Sequence, residues 1–197
     1  MVSGVTHIFE PVYSPIMTDT SVPDATTTPP ADPAPNDRLA VFPGRMIRPI
    51  PGFVFTVPRG WVLDEAPDAL VVARTPREVD GFWVNALLSH DRVARSVDFK
   101  VAAKNTWDRM VRTSPDAKIE MERLVRFGTN IVYLRGVEMS APKSGRKLNQ
   151  LQAMFFAPVN EGGKTVDFFQ FLCTAPEELM ENFGSPFIEM IGSFRFS

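Results

Sequence analysis

The chain has 197 residues with 44% apolar and 22% charged side chains, values ordinary for a globular protein with one core. Its net charge of −2 comes from residues 1–50, which hold three arginines and five acidic residues, whereas the remainder holds 18 basic and 18 acidic residues. A domain without net positive charge lacks the electrostatic footprint of nucleic-acid binding. The composition therefore argues against a nucleic-acid partner.

The first 50 residues differ in amino-acid composition from the rest. They contain nine of the eighteen prolines, including the run Thr-Thr-Thr-Pro-Pro-Ala-Asp-Pro-Ala-Pro at 26–35. Such a segment buries too little apolar surface to offset its ordering entropy, so we predict a disordered Pro/Thr-rich tail at 1–50 and a folded domain at 51–197. The chain starts at Met1 or Met17, without signal-peptide features or a transmembrane segment, which predicts a cytoplasmic location.

The domain begins with strands joined by short turns. Phe53–Val57 is an apolar strand that Pro58 ends, because proline cannot donate to a ladder. The Asp80-Gly81 dipeptide predicts a tight turn between the later strands. The strands that we expect after the Pro-Arg-Gly-Trp corner at 58–61 are 61–63, 70–74 and 82–89.

A helix of about sixteen residues follows. Ser96 is the expected N-cap, with Asp98 in the first turn, and Thr113-Ser114-Pro115 ends the helix. Residues at helical spacing define its core face: Phe99, Ala103, Thr106 or Trp107, and Met110.

An antiparallel meander and a second helix complete the domain. The turns at 128–129, 142–145 and 160–163 separate four predicted strands. Thr174-Ala175-Pro176-Glu177 has the pattern of a capping box and predicts a helix start, and Pro186 should break or kink that helix. The four strands are 118–127, 130–140, 147–158 and 165–173, and a short closing strand is expected at 194–196. This order predicts an α+β fold: an antiparallel sheet sandwiched by helices.

Residues with catalytic potential are sparse. His90 with Asp91, or Glu120 with Glu122, would be the pairs used if the chain were a hydrolase of unrecognised type. His7 lies in the predicted tail, and we predict that Cys173 is a buried apolar residue. We therefore predict no enzyme, and no catalytic, cofactor-binding or metal-binding residue.

Apolar side chains break the strict alternation of the strands and could place rings on both sheet faces. If one face is partly open, these rings would line a groove for an acyl chain or an apolar protein segment. The candidate groove residues are Trp83, Met154, Phe156, Phe169, Phe171 and Met180.

The strand ending in Val57-Pro58-Arg59-Gly60-Trp61, followed by strands at 70–74 and 83–89, a helix and a meander, resembles the LpqN/LpqT family of actinobacterial envelope proteins. That family belongs to a wider PsbP-like α/β/α group, which includes a Ran-binding import factor. The resemblance covers roughly residues 50–197. The chain departs from the lipoprotein pattern because it lacks a lipobox cysteine near its start.

The resemblance implies a non-enzymatic binding or adaptor module that is envelope- or secretion-associated. Its partner would be a protein segment or a lipid, and the resemblance supplies no catalytic residue. An exported or envelope-associated location is the corresponding alternative to the cytoplasm. The oligomeric state stays open.

Overall fold

The structure, a computed structural model, describes residues 48–159 and 163–197. The predicted tail lies outside this part of the chain except for residues 48–50, and so do His7 and most of the turn at 160–163. The described residues form β1 (Phe53–Val54), β2 (Val62–Asp64), β3 (Val71–Arg74), β4 (Asn85–Ala94), α1 (Phe99–Thr113), β5 (Lys118–Phe127), β6 (Asn130–Ser140), β7 (Lys147–Phe156), β8 (Thr165–Pro176), a 3₁₀ turn (Glu177–Leu179), α2 (Met180–Ser193) and β9 (Arg195–Phe196).

Seven strands form one antiparallel sheet in the order β2-β3-β4-β8-β7-β6-β5. The strands β1 and β9 form a separate two-stranded pair. Short hairpins connect β5, β6 and β7, whereas α1 spans the crossover from β4 to β5. The predicted α+β class and the antiparallel meander are therefore confirmed.

Each sheet face carries one of the helices. Leu134, Ala153, Phe171 and Leu88 lie side by side on four strands and share what we call the α2 face. The residues next to them point to the opposite side, the α1 face, because side chains alternate along a strand. The α2 face carries the larger core, in which the phenyl rings of Phe155, Phe169, Phe171, Phe187 and Phe194 are buried.

A smaller apolar cluster joins α1 to the sheet. Ala102 and Ala103 of the helix pack against Met154 and Phe168. Phe99 adds a ring contact to Phe156, with centroids 4.9 Å apart. The predicted core face of the helix is thus confirmed.

The N-cap of α1 differs from the expectation. Asp98, rather than Ser96, is the cap, and its carboxylate accepts a hydrogen bond of 2.9 Å from the Val101 backbone N–H. The shift follows from a local turn, in which the Val97 N–H bonds to the Ala94 carbonyl and delays the helix. A carboxylate placed at the cap also interacts favourably with the helix dipole.

The start of the second helix corrects a further expectation, and Pro186 does not break the helix. The predicted capping box does not cap, because β8 continues to Pro176 and Thr174 Oγ1 accepts a hydrogen bond from Gln150 within the sheet. Pro186 lies inside α2 without ending it. Phe183 and Phe187 on either side of the proline pack on Trp61, and such tertiary packing outweighs local helix preference.

Candidate functional site

The six candidate groove residues do not share one surface. Phe169 and Phe171 are 0% and 1% exposed in the core of the α2 face, which Met180 also contacts. Met154 is equally buried on the opposite face, beneath α1, with Phe156 beside it. Their rings and thioethers fill the two interfaces between sheet and helices, so these five side chains do not line a groove.

Trp83, the sixth candidate, lies partly exposed ahead of β4. The guanidinium of Arg74 stacks over its ring at 4.4 Å from the centroid, a cation–π geometry. Arg74 also donates from Nε to Asp64 Oδ2 at 2.9 Å. Trp83 therefore belongs to a polar and aromatic cluster at the β2–β3 end of the sheet.

The pair His90 and Asp91 is separated by the strand itself. Consecutive residues of β4 point to opposite faces, so the imidazole and the carboxylate do not meet. His90 Nε2 lies 2.9 Å from Asp167 Oδ1 on β8. Asp91 Oδ2 lies instead 3.6 Å from Arg109 Nη1 of α1. The adjacency in sequence gives no acid–base pair.

Asp167 is the centre of a small ion-pair cluster that the sequence did not indicate. Its Oδ1 accepts hydrogen bonds of 2.9 Å from both His90 and Arg92. Burial by itself would raise the pKa of Asp167, but the hydrogen bonds from His90 and Arg92 outweigh it and hold the pKa below its usual range. The cluster fastens β4 to β8.

Glu120 and Glu122 are also held apart. The pairing of β5 with β6 shifts register between Ile119 and Met121, so Glu120 occupies a bulge and the alternation that would align the two carboxylates is lost. Glu122 pairs instead with Arg135, Nε to Oε1 at 2.8 Å. The contact is an ion pair between neighbouring strands rather than a catalytic pair of carboxylates.

Arg135 organises a buried polar network under α1. It is 2% exposed, and its Nη2 donates to the Ala103 carbonyl at 2.8 Å. Its Nη1 lies 3.5 Å from Gln152 Oε1, and Gln152 in turn donates to Gln150 Oε1 at 2.8 Å. Since buried polar groups are costly unless paired, this chain of bonds fixes α1 on the sheet.

The α1 face is covered unevenly. The helix packs mainly on β7 and β8 and reaches the second half of β4 at Val93 and Asp91. The main contacts of the described helices do not include β2, β3 or the first half of β4 on this side. We call this exposed area the open half. The apolar row Val72, Leu87 and Leu172 crosses it at half-buried positions, and Val62 is 38% exposed beside the row.

A cleft of about 50 Å³ lies where the open half meets α1. One wall is the C-terminal half of the helix, with Ser114 at its end, and the other is the surface of β7 and β8. Ser114 is 2% exposed, and its Oγ has no hydrogen-bond partner. The residues that line the cleft are Thr106, Arg109, Met110, Thr113, Ser114, Gln150, Gln152, Gln170 and Leu172.

The remaining candidate groups have structural surroundings. Cys173 is fully buried, and burial raises the pKa of its thiol, which keeps the thiol protonated. Across residues 48–159 and 163–197, no group of three His, Cys, Asp or Glu side chains has the placement of a metal site. The same residues include no helix long and apolar enough to cross a membrane.

The sheet order and the two-sided helix cover define a PsbP-like α+β sandwich. Solved structures of two other proteins are among those that share it. LpqN from Mycobacterium tuberculosis, described as involved in cell envelope biogenesis, has a TM-score of 0.60 and 14% identity, covering 75% of this chain and 84% of LpqN. Cyanobacterial PsbP (CyanoP) from Synechocystis sp. PCC 6803 has a TM-score of 0.53 and 17% identity, covering 74% and 87%.

The likeness to both proteins is a likeness of fold, and it confirms the resemblance that the order of elements predicted. No protein-family profile matches the chain, and no curated protein sequence matches it.

Proposed function

We propose that the domain is a non-catalytic binding or adaptor module that holds a segment of a partner protein on the open half. The observation that carries this proposal is the uneven cover of the α1 face. The apolar row Val72, Leu87 and Leu172 ends against a helix wall, so the surface is a trough with one closed side. Concave surfaces that combine apolar floor and a few polar groups are typical of binding sites.

The distribution of charged residues supports a binding role over catalysis. His90, Asp91 and Glu122 each pair with a different partner, so neither pair considered for a hydrolase is assembled. The ion pairs join neighbouring elements and have the geometry of structural contacts. A cell-envelope or secretion-associated setting in an actinobacterium is the part of the proposal that the likeness to LpqN supports.

Two adjacent residues of β2 allow a matched test. Val62 and Leu63 are 38% and 59% exposed, and they point to opposite faces of the same strand. Peptides selected on the full chain from a random phage-displayed library would be measured against V62E and L63E. We expect V62E to weaken binding at least tenfold and L63E to leave it unchanged.

Equal effects of V62E and L63E would contradict binding on the open half. A lipid is the other occupant considered, and solvent extraction of the purified chain followed by mass spectrometry tests for it. A lipid recovered at one equivalent, and reduced by V62E but not by L63E, would replace the protein segment in the proposal. Turnover of any substrate that persists in both variants would contradict the non-catalytic role.

A further inference from the structure

We propose that the cleft at the end of α1 binds a carboxylate group, carried by an acidic side chain or a chain terminus of the partner segment. This inference rests on the proposed function, since it names the chemistry of the partner. The cleft holds roughly three to five water-sized groups, because its volume is about 50 Å³ and one water needs roughly 10–15 Å³. A carboxylate with its adjoining carbon fits this space, whereas a sugar ring or an acyl chain does not.

One buried donor at the cleft is unsatisfied. Ser114 Oγ is buried and lacks a hydrogen-bond partner, although buried hydroxyls are almost always paired. The Ser114 backbone is already used, since its N–H bonds to the Met110 carbonyl and its carbonyl accepts from Ala117. The hydroxyl alone is left over at the lining of the cleft. An acceptor placed in the cleft would satisfy it.

The side-chain amides that line the cleft differ in their hydrogen bonding. Gln170 makes no side-chain hydrogen bond within the described part of the chain, so its amide group can donate into the cleft. Gln150 and Gln152, by contrast, bond to each other and to Thr174 and Met110, and they form a fixed floor. The lining thus separates into a rigid floor and a few donors without partners.

The charge of the lining favours an anion. Arg109 is the one charged side chain in the lining, which contains no carboxylate. Its Nη1 is 3.6 Å from Asp91, beyond hydrogen-bond distance, and both side chains are about half exposed at 46% and 56%. A guanidinium held so loosely can turn to a ligand carboxylate and form the stronger charge-assisted bond.

The C-terminal end of α1 is compatible with a carboxylate in the cleft. A helix C-terminus carries partial negative charge that disfavours an anion. The Met110 carbonyl in the last turn, however, accepts both the Ser114 N–H at 2.9 Å and the Thr113 hydroxyl at 3.0 Å.

The test uses two blocked tripeptides, Ala-Glu-Ala and its neutral counterpart Ala-Gln-Ala, titrated into the ¹⁵N-labelled full chain. We expect the glutamate peptide to shift the amide resonances of residues 106–114 and 170–172 and to bind at least tenfold more tightly than the glutamine peptide. R109Q should weaken the glutamate peptide about tenfold, the scale of a lost hydrogen bond to a charged group. R112Q, an exposed arginine on the same turn outside the lining, should leave the affinity unchanged.

Two further variants sharpen the result. S114A removes only an unpaired hydroxyl, so it should preserve the fold and weaken the glutamate peptide severalfold. D91N releases Arg109 from its ion pair and should strengthen binding. Equal binding of both tripeptides, or equal effects of R109Q and R112Q, would overturn the inference.

The two proposals fail separately. If selected peptides depend on Val62 but not on any acidic residue or on Arg109, the carboxylate inference is wrong and the open half still binds a segment. If the glutamate tripeptide binds in the cleft while V62E and L63E are equivalent in peptide selection, the cleft is a carboxylate site and the proposed segment-binding surface is wrong.

Discussion

Arg135 Nε donates a hydrogen bond of 2.8 Å to Glu122 Oε1 across β5 and β6, and the guanidinium is 2% exposed whereas the carboxylate is 37% exposed. The pair therefore joins a buried charge to a partner at the protein surface. Burial by itself would raise the pKa of Glu122, but hydrogen bonds from Tyr133 and Arg135 outweigh it, so the net shift is downward. The carboxylate is ionised at neutral pH and balances the buried cation.

Removing that negative charge should destabilise the fold. We expect E122Q to lower the free energy of unfolding by about 1–2 kcal/mol, since a buried guanidinium loses its counterion while water reaches the exposed partner and reduces the loss. Urea unfolding followed by tryptophan fluorescence measures the change. E120Q, in the bulge of the same strand, is the control and should stay within about 0.5 kcal/mol of the parent. Equal losses of unfolding free energy in E122Q and E120Q would show that the Glu122–Arg135 ion pair does not stabilise the fold.

The ion pairs of Asp167 should give the fold an acid-sensitive component. Its pKa is lowered in the folded protein, so its carboxylate contributes stability above the unfolded pKa of about 3.9, and this contribution is lost as pH falls through the folded pKa. We expect the free energy of unfolding to fall as pH drops below about 5, and to fall less steeply in D167N.

The control for D167N is D68N, at an exposed turn position with φ of 59°, which asparagine also adopts. Denaturant unfolding at a series of pH values between 2 and 7 gives both slopes. A parent-like slope in D167N would contradict the assignment of acid sensitivity to the Asp167 cluster.

The N-cap of α1 is a second test of the geometry. D98A removes the acceptor of the Val101 N–H and should cost about 1 kcal/mol of unfolding free energy, the usual value for a lost cap. S96A, at the position that the sequence favoured, should cost less than about 0.5 kcal/mol. Thermal unfolding by circular dichroism distinguishes the two variants. A larger loss in S96A would restore Ser96 as the cap.

Two glycines of α2 should respond to alanine in opposite ways. A Cβ at Gly184 would meet no atom within 4 Å, so G184A should gain about 0.5–1 kcal/mol through helix propensity. A Cβ at Gly192 would lie 3.1 Å from Phe127 Cδ1, which should turn the gain into a loss of about 1 kcal/mol or more. Calorimetric melting temperatures provide the comparison. Equal gains would show that the Phe127 ring yields freely.

Much of the fold followed from local pattern. The bounds of β5 and β6 agree with the sequence prediction residue for residue, because Gly128 adopts φ of 56° in the turn and β6 alternates clearly. At the start of the second helix, a distant partner overrode a local signal. Thr174 has the pattern of a cap, but its hydroxyl is used by Gln150, 24 residues away.

The sequence by itself determined the order of strands and helices, the α+β class and the likeness to the PsbP-like fold, since these depend on alternation, helical spacing and turn residues close together in the chain. Only the tertiary structure decided which side chains meet. His90 bonds to Asp167 across 77 residues rather than to its neighbour Asp91. The cleft likewise brings together the end of α1 and the strands β7 and β8, which are distant in the chain. Long-range packing sets the register of the strands and the position of the helix, and these determine which donors face each other.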